Sequence, residues 1–296
     1  MSLAIDARFA DQVLRDEPLS RHTSWHVGGP ADVFFMPRDR EQLVDFLRAL
    51  PAATPLLWLG LGSNLLVRDG GIRGVVIATQ DALTRLERRG DLGVYVEAGV
   101  PCALVARQCA RWELGPAAFL AGIPGTMGGA LAMNAGAFGG ETWPLVRSVE
   151  TVDRDGTLRT RAADEYATAY RSVTAPVEGE WFLAATLELQ PRPDETPIRA
   201  LLERRRQTQP IGEWSCGSVF TNPPGDHAAR LIEACGLKGL RIGDATVSEK
   251  HANFIVNDGE ASAQDIETLI ARVRATVQEK FGVLLHPEVR VVGEAA

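Results

Sequence analysis

Residues 122–140 read GIPGTMGGALAMNAGAFGG, and the rest of the chain is read outward from this stretch. It holds seven glycines in nineteen residues and no charged side chain. Surface loops are usually polar, and core elements avoid this much glycine. Without a Cβ, glycine lets main-chain N–H groups approach a ligand closely. The apolar residues between the glycines (Ile123, Met127, Leu131, Met133 and Phe138) predict a loop packed inside the protein. Such a segment suits a large, flat, partly anionic ligand held by main-chain donors. The plainer reading is a tight helix–strand junction that needs small residues.

A second glycine loop lies upstream, Gly60-Leu61-Gly62-Ser63-Asn64-Leu65-Leu66, after the apolar run Leu56-Leu57-Trp58-Leu59. A buried strand followed by a glycine turn makes a nest of N–H donors for phosphate. It is not the dinucleotide fingerprint G-x-G-x-x-G, because Leu65 stands at the third glycine and strands, not a helix, are predicted to follow. By itself this loop reads equally well as a plain turn.

The 296 residues suit two domains or one large one. With 45% hydrophobic and 23% charged residues the chain is globular. A net charge of −7 and a pI near 5.4 argue against nucleic acid as the main partner. Arg204-Arg205-Arg206 is the only dense basic run, either a phosphate site or a solvated helix face. The N-terminal sequence lacks the pattern of a signal peptide. No run of about 18 apolar residues predicts a membrane span. Cys102, Cys109, Cys216 and Cys235 have neither zinc-site nor disulfide-scaffold spacing, and a cytoplasmic location follows as the expectation. No H-E-x-x-H or similar pair occurs among the five histidines, so no metal is expected.

The first twenty residues read as a loose lead-in or short helix. A strand is predicted from Val33, a helix over Glu41–Leu50, short strands at Leu56, Val67 and Val75, a strand at Val94–Val100, and a helix opened by Pro101. Asp155-Gly156 marks a hairpin between two strands. Trp181–Gln190 is a further strand. Gln190-Pro191-Arg192-Pro193-Asp194-Glu195 reads as a boundary. It divides a lead-in 1–20 and a domain 21–193 from a domain 194–296. Beyond it come helices after Pro197 and Pro224, a strand over Ala252–Val256, a helix from Ser262 to Gly282, and a strand over Leu284–Val292. The order is mixed α+β, without regular β-α alternation.

Three positions could carry chemistry. Ser218, after Gly217, is either a positioned hydroxyl at a strand start or a turn serine bonded to the backbone. Glu288 and Arg290 alternate onto one strand face, either buried with partners or on a solvated edge. Arg171, after Tyr170, either grips a carboxylate or phosphate or lies in a surface loop.

Together and in order, seven segments resemble the UDP-N-acetylenolpyruvoylglucosamine reductases: HTSWHVGGPAD at 22–32, GLGSNLLV at 60–67, GIPGTMGGALAMNAGAFG at 122–139, AYRS at 169–172, GSVFTNP at 217–223, SEKHANFIVN at 248–257 and HPEVR at 286–290. The resemblance implies an FAD-binding fold of the vanillyl-alcohol-oxidase/PCMH type with two α+β subdomains, plus a C-terminal substrate domain. It implies non-covalent FAD, NADPH as reductant, and UDP-N-acetylglucosamine enolpyruvate reduced to UDP-N-acetylmuramate for peptidoglycan. It implies a monomer.

Carried onto this sequence, the resemblance makes Ser218 the proton donor to C2, with Arg171 and Glu288 on the substrate carboxylate. It assigns Gly60, Gly62, Ser63, Asn64, Leu65, Gly122, Ile123, Pro124, Gly125, Thr126, Gly128, Gly129, Asn134 and Gly136 to FAD. Tyr170, Arg206, Gln209, Asn222 and Lys250 match positions near the substrate. One family type carries an inserted loop with a tyrosine over the substrate. Leu189–Thr208 is short and has no tyrosine, so this chain resembles the shorter type, and Arg204–Arg206 becomes the candidate for the diphosphate end. Two rivals remain: an FAD-dependent alcohol or lactone oxidase of the same fold, and a non-catalytic nucleotide-sugar-binding protein. Some such oxidases link FAD through histidine, and no histidine lies between His26 and His227.

Overall fold

In the computed structural model, which describes residues 3–192 and 194–296, Ser262 starts the long helix Ala263–Phe281. Its hydroxyl accepts the Asp265 N–H (3.0 Å), and the Asp265 carboxylate accepts the Ser262 N–H (3.0 Å). This reciprocal cap satisfies two otherwise orphaned donors. Gly282 ends the helix at φ +69°, a left-handed conformation that favours glycine. The face formed by Ile266, Leu269, Ile270, Val273 and Val277 is buried, as the periodicity predicts.

The backbone packs as two units. The first comprises residues 1–15, 33–61 and 74–204, and the second 16–32, 62–73 and 205–296. These units are discontinuous, whereas the sequence reading divides the chain once, at 193/194. Pro193, at that boundary, and residues 1 and 2 of the lead-in lie outside the described residues.

In the first unit, Leu56–Leu59 pairs parallel with Ile72–Ala78, from Leu56↔Val75 to Leu59↔Ala78. The sheet order is Val13–Pro18, Pro30–Phe35, Ile72–Ala78, Leu56–Leu59. Helix Arg40–Ala49 buries Leu43, Phe46 and Leu47, and Phe46 stacks on Phe35. A five-stranded antiparallel sheet runs Leu158–Ala162, Val146–Asp153, Glu180–Glu188, Gly93–Glu97, Leu86–Arg89. The Asp155-Gly156 turn joins its first two strands, with Gly156 at φ +72°. Helix Cys102–Arg111 packs beside it, with Cys102 and Cys109 fully buried. Burial pushes both thiols up to about 12, so they stay protonated and act as packing groups.

The lead-in differs from the expectation. Ala7–Gln12 forms a 3₁₀ turn, and Val13–Pro18 is a strand at the sheet edge. Its charged sequence VLRDEP hides it, because an edge strand tolerates charge and shows no clean alternation.

In the second unit, Arg241–Ile242, Ala245–Val247 and Ile255–Asn257 form a three-stranded antiparallel sheet. Its core joins the long helix, helix Ala228–Ala234 and Trp25, which is fully buried. The Trp25 indole donates to the Ile255 carbonyl (2.8 Å), and Asn257 Nδ2 donates to the Trp25 carbonyl (2.8 Å). These two bonds tie residues 16–32 to the C-terminal part of the chain. Leu65–Val67 pairs parallel with Arg290–Val292, which ties in 62–73. Only Arg290–Val292 of the expected 284–292 strand is regular strand.

Candidate active site

The glycine-rich segment opens with the 3₁₀ turn Ala118–Gly122 and continues as helix Met127–Met133. It is sewn to residues 98–102. Cys102 N–H donates to Gly125 O (2.9 Å), Met127 N–H to Val100 O (2.9 Å), and Gly128 N–H to Ala98 O (2.8 Å). Ile123, Met127 and Leu131 are buried, as expected, but Met133 is half-buried and Phe138 exposed. Phe138 has φ +53° and leaves the core as the backbone turns. Gly60 comes against this segment within the first unit. A Cβ there would lie 2.5 Å from Thr126 Oγ1, so the Thr126 side chain packs against the Gly60 main chain in space that a larger residue would fill. Gly129 is exposed, and a Cβ there would find nothing closer than 3.9 Å. The segment is therefore buried on one side and presents bare main chain, with exposed Pro124 and half-buried Gly125, on the other.

Arg171 stands at the tip of the hairpin Ala167–Ala169/Ser172–Thr174, where Ala169 pairs with Ser172 across a two-residue turn. Its φ is +54°, rare for a side chain with a Cβ. The guanidinium donates to Gly136 O (2.8 Å) and Asn134 O (3.4 Å) and lies against the half-exposed Tyr170 ring. Asn134 ends the glycine-rich helix at φ +48° and is 2% exposed. Its amide nitrogen donates to Glu141 Oε2 (2.9 Å) and Ala169 O (3.0 Å), and its Oδ1 accepts the Trp143 N–H (3.0 Å). An amide has two N–H donors, and both are engaged inside the protein. The side chain of Asn134 is thus a clamp between the glycine-rich segment and the Arg171 hairpin.

In the second unit the structure brings Ser218 and Glu288 together. Gly217 has φ +83°, and the chain then extends through Ser218, Val219 and Phe220. Glu288 N–H donates to Val219 O (2.8 Å), Thr221 N–H to His286 O (3.0 Å), and Phe220 bridges Pro287. Val219 and Phe220 are buried, while Ser218 and Glu288 are half-buried. Among the described residues no backbone group bonds the Ser218 hydroxyl. Burial raises the neighbouring Cys216 thiol well above its ordinary range, and the Glu288 charge adds to the rise. The expected single strand through Glu288 and Arg290 is instead split. Residues 286–288 bond to 219–221, and regular pairing with Leu65 starts only at Arg290, because Pro287 has no N–H for a continuous ladder.

The second glycine loop reaches the same region of this unit. Asn64 Nδ2 donates to Glu288 O (3.0 Å), and Arg290 N–H donates to Asn64 O (3.1 Å). Leu65 opens the strand that follows, and Ser63 is half-buried beside it. Gly62 has φ +60°, and a Cβ there would lie 2.0 Å from His22 O. His22 is therefore next to the loop, which its distance in sequence conceals. Its Nε2 pairs with Glu17 Oε1 (3.0 Å). The His26 ring lies tilted against Trp214, with ring centroids 4.4 Å apart.

Of the expected substrate contacts, Lys250 and Arg206 meet, while Tyr170 lies on the Arg171 hairpin and Asn222 stands apart. Lys250 Nζ donates to Arg206 O, and Gln209 Oε1 accepts Arg205 Nε (2.7 Å). Asn222 Oδ1 accepts the Ala228 N–H (3.1 Å) and so holds the start of helix Ala228–Ala234. Sequence reasoning missed Asn253, Asn257 and Trp25 as individual residues. The signal was present, because Asn253 and Asn257 flank the apolar run Phe254-Ile255-Val256, and a buried amide needs partners. Among the described residues no group of three or more His, Cys, Asp or Glu could hold a metal, and no helix is long and apolar enough to cross a membrane.

Comparison with known proteins bears on this geometry. The family model described as FAD binding domain matches residues 31–161. The model for the UDP-N-acetylenolpyruvoylglucosamine reductase C-terminal domain matches residues 209–292. A UDP-N-acetylenolpyruvoylglucosamine reductase from Methylococcus capsulatus is 62% identical over 285 residues, 95% of this chain and 93% of the relative. One from Alkalilimnicola ehrlichii is 57% identical over 297 residues, 99% of each chain. The crystal structure of the Thermus caldophilus reductase (MurB) superposes with a TM-score of 0.78 at 34% identity, covering 98% of this chain and 99% of that one. The α+β fold is accordingly an FAD-binding domain followed by that C-terminal domain, and the chain belongs to the UDP-N-acetylenolpyruvoylglucosamine reductase family.

Proposed function

We propose that this chain reduces the enolpyruvyl group of UDP-N-acetylenolpyruvoylglucosamine to a lactyl ether, giving UDP-N-acetylmuramate, with FAD as cofactor and NADPH as reductant. The observation that carries this reading is the end-to-end match to reductases of that name. The chain's own residues fit a flavin dinucleotide, since the main chains of 60–65 and 122–129 are rich in glycine and bare of side chains at Gly129. Residues 60–65 and 122–129 would hold FAD, which would supply a two-electron carrier between NADPH and C3 of the enolpyruvyl group. The remaining work belongs to side chains. Negative charge develops at C2 and spreads into the carboxylate, where Arg171 is read as the planar cationic fork. Glu288 can sit beside a carboxylate only if it is protonated or bridged by a cation, because like charges repel. Ser218 is read as the donor of the proton to C2. Arg206, Gln209 and Lys250 suit the diphosphate end, with Tyr170 and Asn222 as further substrate contacts. We read the enzyme as a cytoplasmic monomer, with a domain division between 193 and 194.

The test is an absorbance spectrum followed anaerobically. NADPH should bleach the flavin band, and UDP-N-acetylglucosamine enolpyruvate should restore it. A protein that binds the sugar but never turns over would leave only the nucleotide-sugar-binding reading.

FAD should be held without a covalent bond. No histidine lies between His26 and His227, a span that covers both glycine loops. Acid precipitation should release all the yellow colour into the supernatant. Colour retained in the pellet would contradict this and favour the covalent oxidases.

NADPH and the UDP-sugar should use one pocket in turn. Both carry diphosphates, both must reach the same flavin, and no Rossmann fingerprint offers a second dinucleotide site. Initial-rate plots should be parallel, with inhibition at high substrate. Intersecting lines would mean a ternary complex and refute the shared pocket.

A further inference from the structure

We propose that Asn253 is a positioning residue that sets the register of Ser218 against Glu288. The inference rests on the reading of Ser218 as proton donor. Asn253 is 4% exposed. Its Oδ1 accepts the Phe220 N–H (3.0 Å), and its Nδ2 donates to the Phe220 carbonyl (2.8 Å). Its own carbonyl accepts the Val219 N–H (2.9 Å). The amide thus acts towards Phe220 as a neighbouring strand would, offering one donor and one acceptor to the same residue. On the other side, Val219 O accepts from Glu288 N–H and Thr221 N–H donates to His286 O. The Ser218–Thr221 segment is therefore the middle of three layers of main-chain bonding, with a side chain standing in for one of them.

This arrangement answers a specific difficulty. Gly217 enters the segment at φ +83°, and without a Cβ it restrains the direction of Ser218 less than another residue would. On the 286–289 side the segment has one isolated bridge, Phe220 to Pro287, and no regular ladder, so register is weakly specified from that edge alone. Asn253 closes the second edge. The backbone of Asn253 is itself held, since its N–H donates to His251 Nδ1 (3.3 Å) and the neighbouring Phe254 N–H donates to His251 O (3.0 Å). Asn253 touches neither substrate nor flavin in this reading. It acts through the direction in which the Ser218 hydroxyl points.

Asn253→Asp keeps the shape and the acceptor for Phe220 N–H but loses the donor to Phe220 O. Asn253→Ala removes both and leaves two buried main-chain groups unsatisfied. The measurement is the two half-reactions by stopped flow, in the Asn253→Asp enzyme, the Ser218→Ala enzyme and the double variant. Flavin content and reduction by NADPH should stay within about twofold of the parent in Asn253→Asp, which also certifies folding. Oxidation of the reduced enzyme by UDP-N-acetylglucosamine enolpyruvate should slow by about 10- to 100-fold, the size expected when a reacting group is misplaced by a fraction of its reach. In the Ser218→Ala background the same substitution should have almost no further effect, because two residues acting through one hydroxyl do not add. Full additivity, or equal slowing of both half-reactions, would overturn the proposal and make Asn253 merely structural. If Ser218→Ala itself leaves the sugar half-reaction unchanged, the proton-donor reading fails first, and the proposal falls with it. Should Asn253→Asp not fold, hydrogen exchange on the intact enzyme decides. The Phe220 amide should be among the most protected outside regular elements, and fast exchange there would sink the idea.

Discussion

Ser218→Ala should leave FAD binding and flavin reduction by NADPH nearly intact while slowing oxidation of the reduced enzyme by the UDP-sugar by about 10²–10⁴-fold, the usual contribution of a general acid. Hydride arrival at C3 leaves an enolate-like species that must gain a proton at C2. A serine hydroxyl is a poor acid in water, so it serves only where the intermediate is strongly basic and water is excluded. Ser218 is half-buried and followed by the fully enclosed Val219 and Phe220, so bound substrate and flavin would have to complete the exclusion of water. Cysteine at this position is more acidic and of similar reach, so Ser218→Cys should recover part of the lost rate. In D₂O, solvent deuterium should appear at C2 of the lactyl product. Equal slowing of both half-reactions, or no slowing of either, would remove Ser218 from the proton-transfer step.

What the sequence revealed was chiefly what is local. The 263–281 helix was legible because its cap, its apolar face and its terminal glycine all lie within one segment. The Asp155-Gly156 hairpin was legible for the same reason. The division into units was not, because Trp25 and Leu65–Val67 find their partners in the C-terminal part of the chain, and such pairing leaves no periodicity behind. The candidate site divides likewise. Ser218, Glu288 and Arg171 stand out by residue type and by the motifs around them. The groups that hold them do not. Nothing in the sequence signals that both amide hydrogens of Asn134 are engaged, which makes its side chain a clamp. Gly62 packs on the His22 carbonyl, a proximity that forty residues of sequence separation hide. Asparagine recurs in these roles because its amide can replace a peptide group, and a single sequence does not distinguish that use from a turn or a cap.

Arg171→Lys should lower turnover of the UDP-sugar by about 10²–10³-fold, the loss typical of one oriented contact to developing charge. Two effects combine. A bidentate fork on the enolpyruvyl carboxylate becomes a single point charge. The variant also loses the planar group that bridges Gly136 O and Asn134 O, so the side chain is less firmly aimed. Backbone strain does not enter the comparison, because lysine meets the same cost at φ +54° as arginine. Asn134 and the Ala169 carbonyl it binds still hold the hairpin tip, so flavin content and thermal stability should stay close to the parent's. Flavin reduction by NADPH should change far less than its reoxidation by the sugar, since NADPH has no enolpyruvyl carboxylate for the fork to grip. Binding of UDP-N-acetylglucosamine, which lacks that carboxylate, should be nearly unchanged. Near-normal reoxidation by the enolpyruvyl substrate in Arg171→Lys would show that Arg171 is not at the reacting end, and its bonds to Gly136 and Asn134 would then be its whole role.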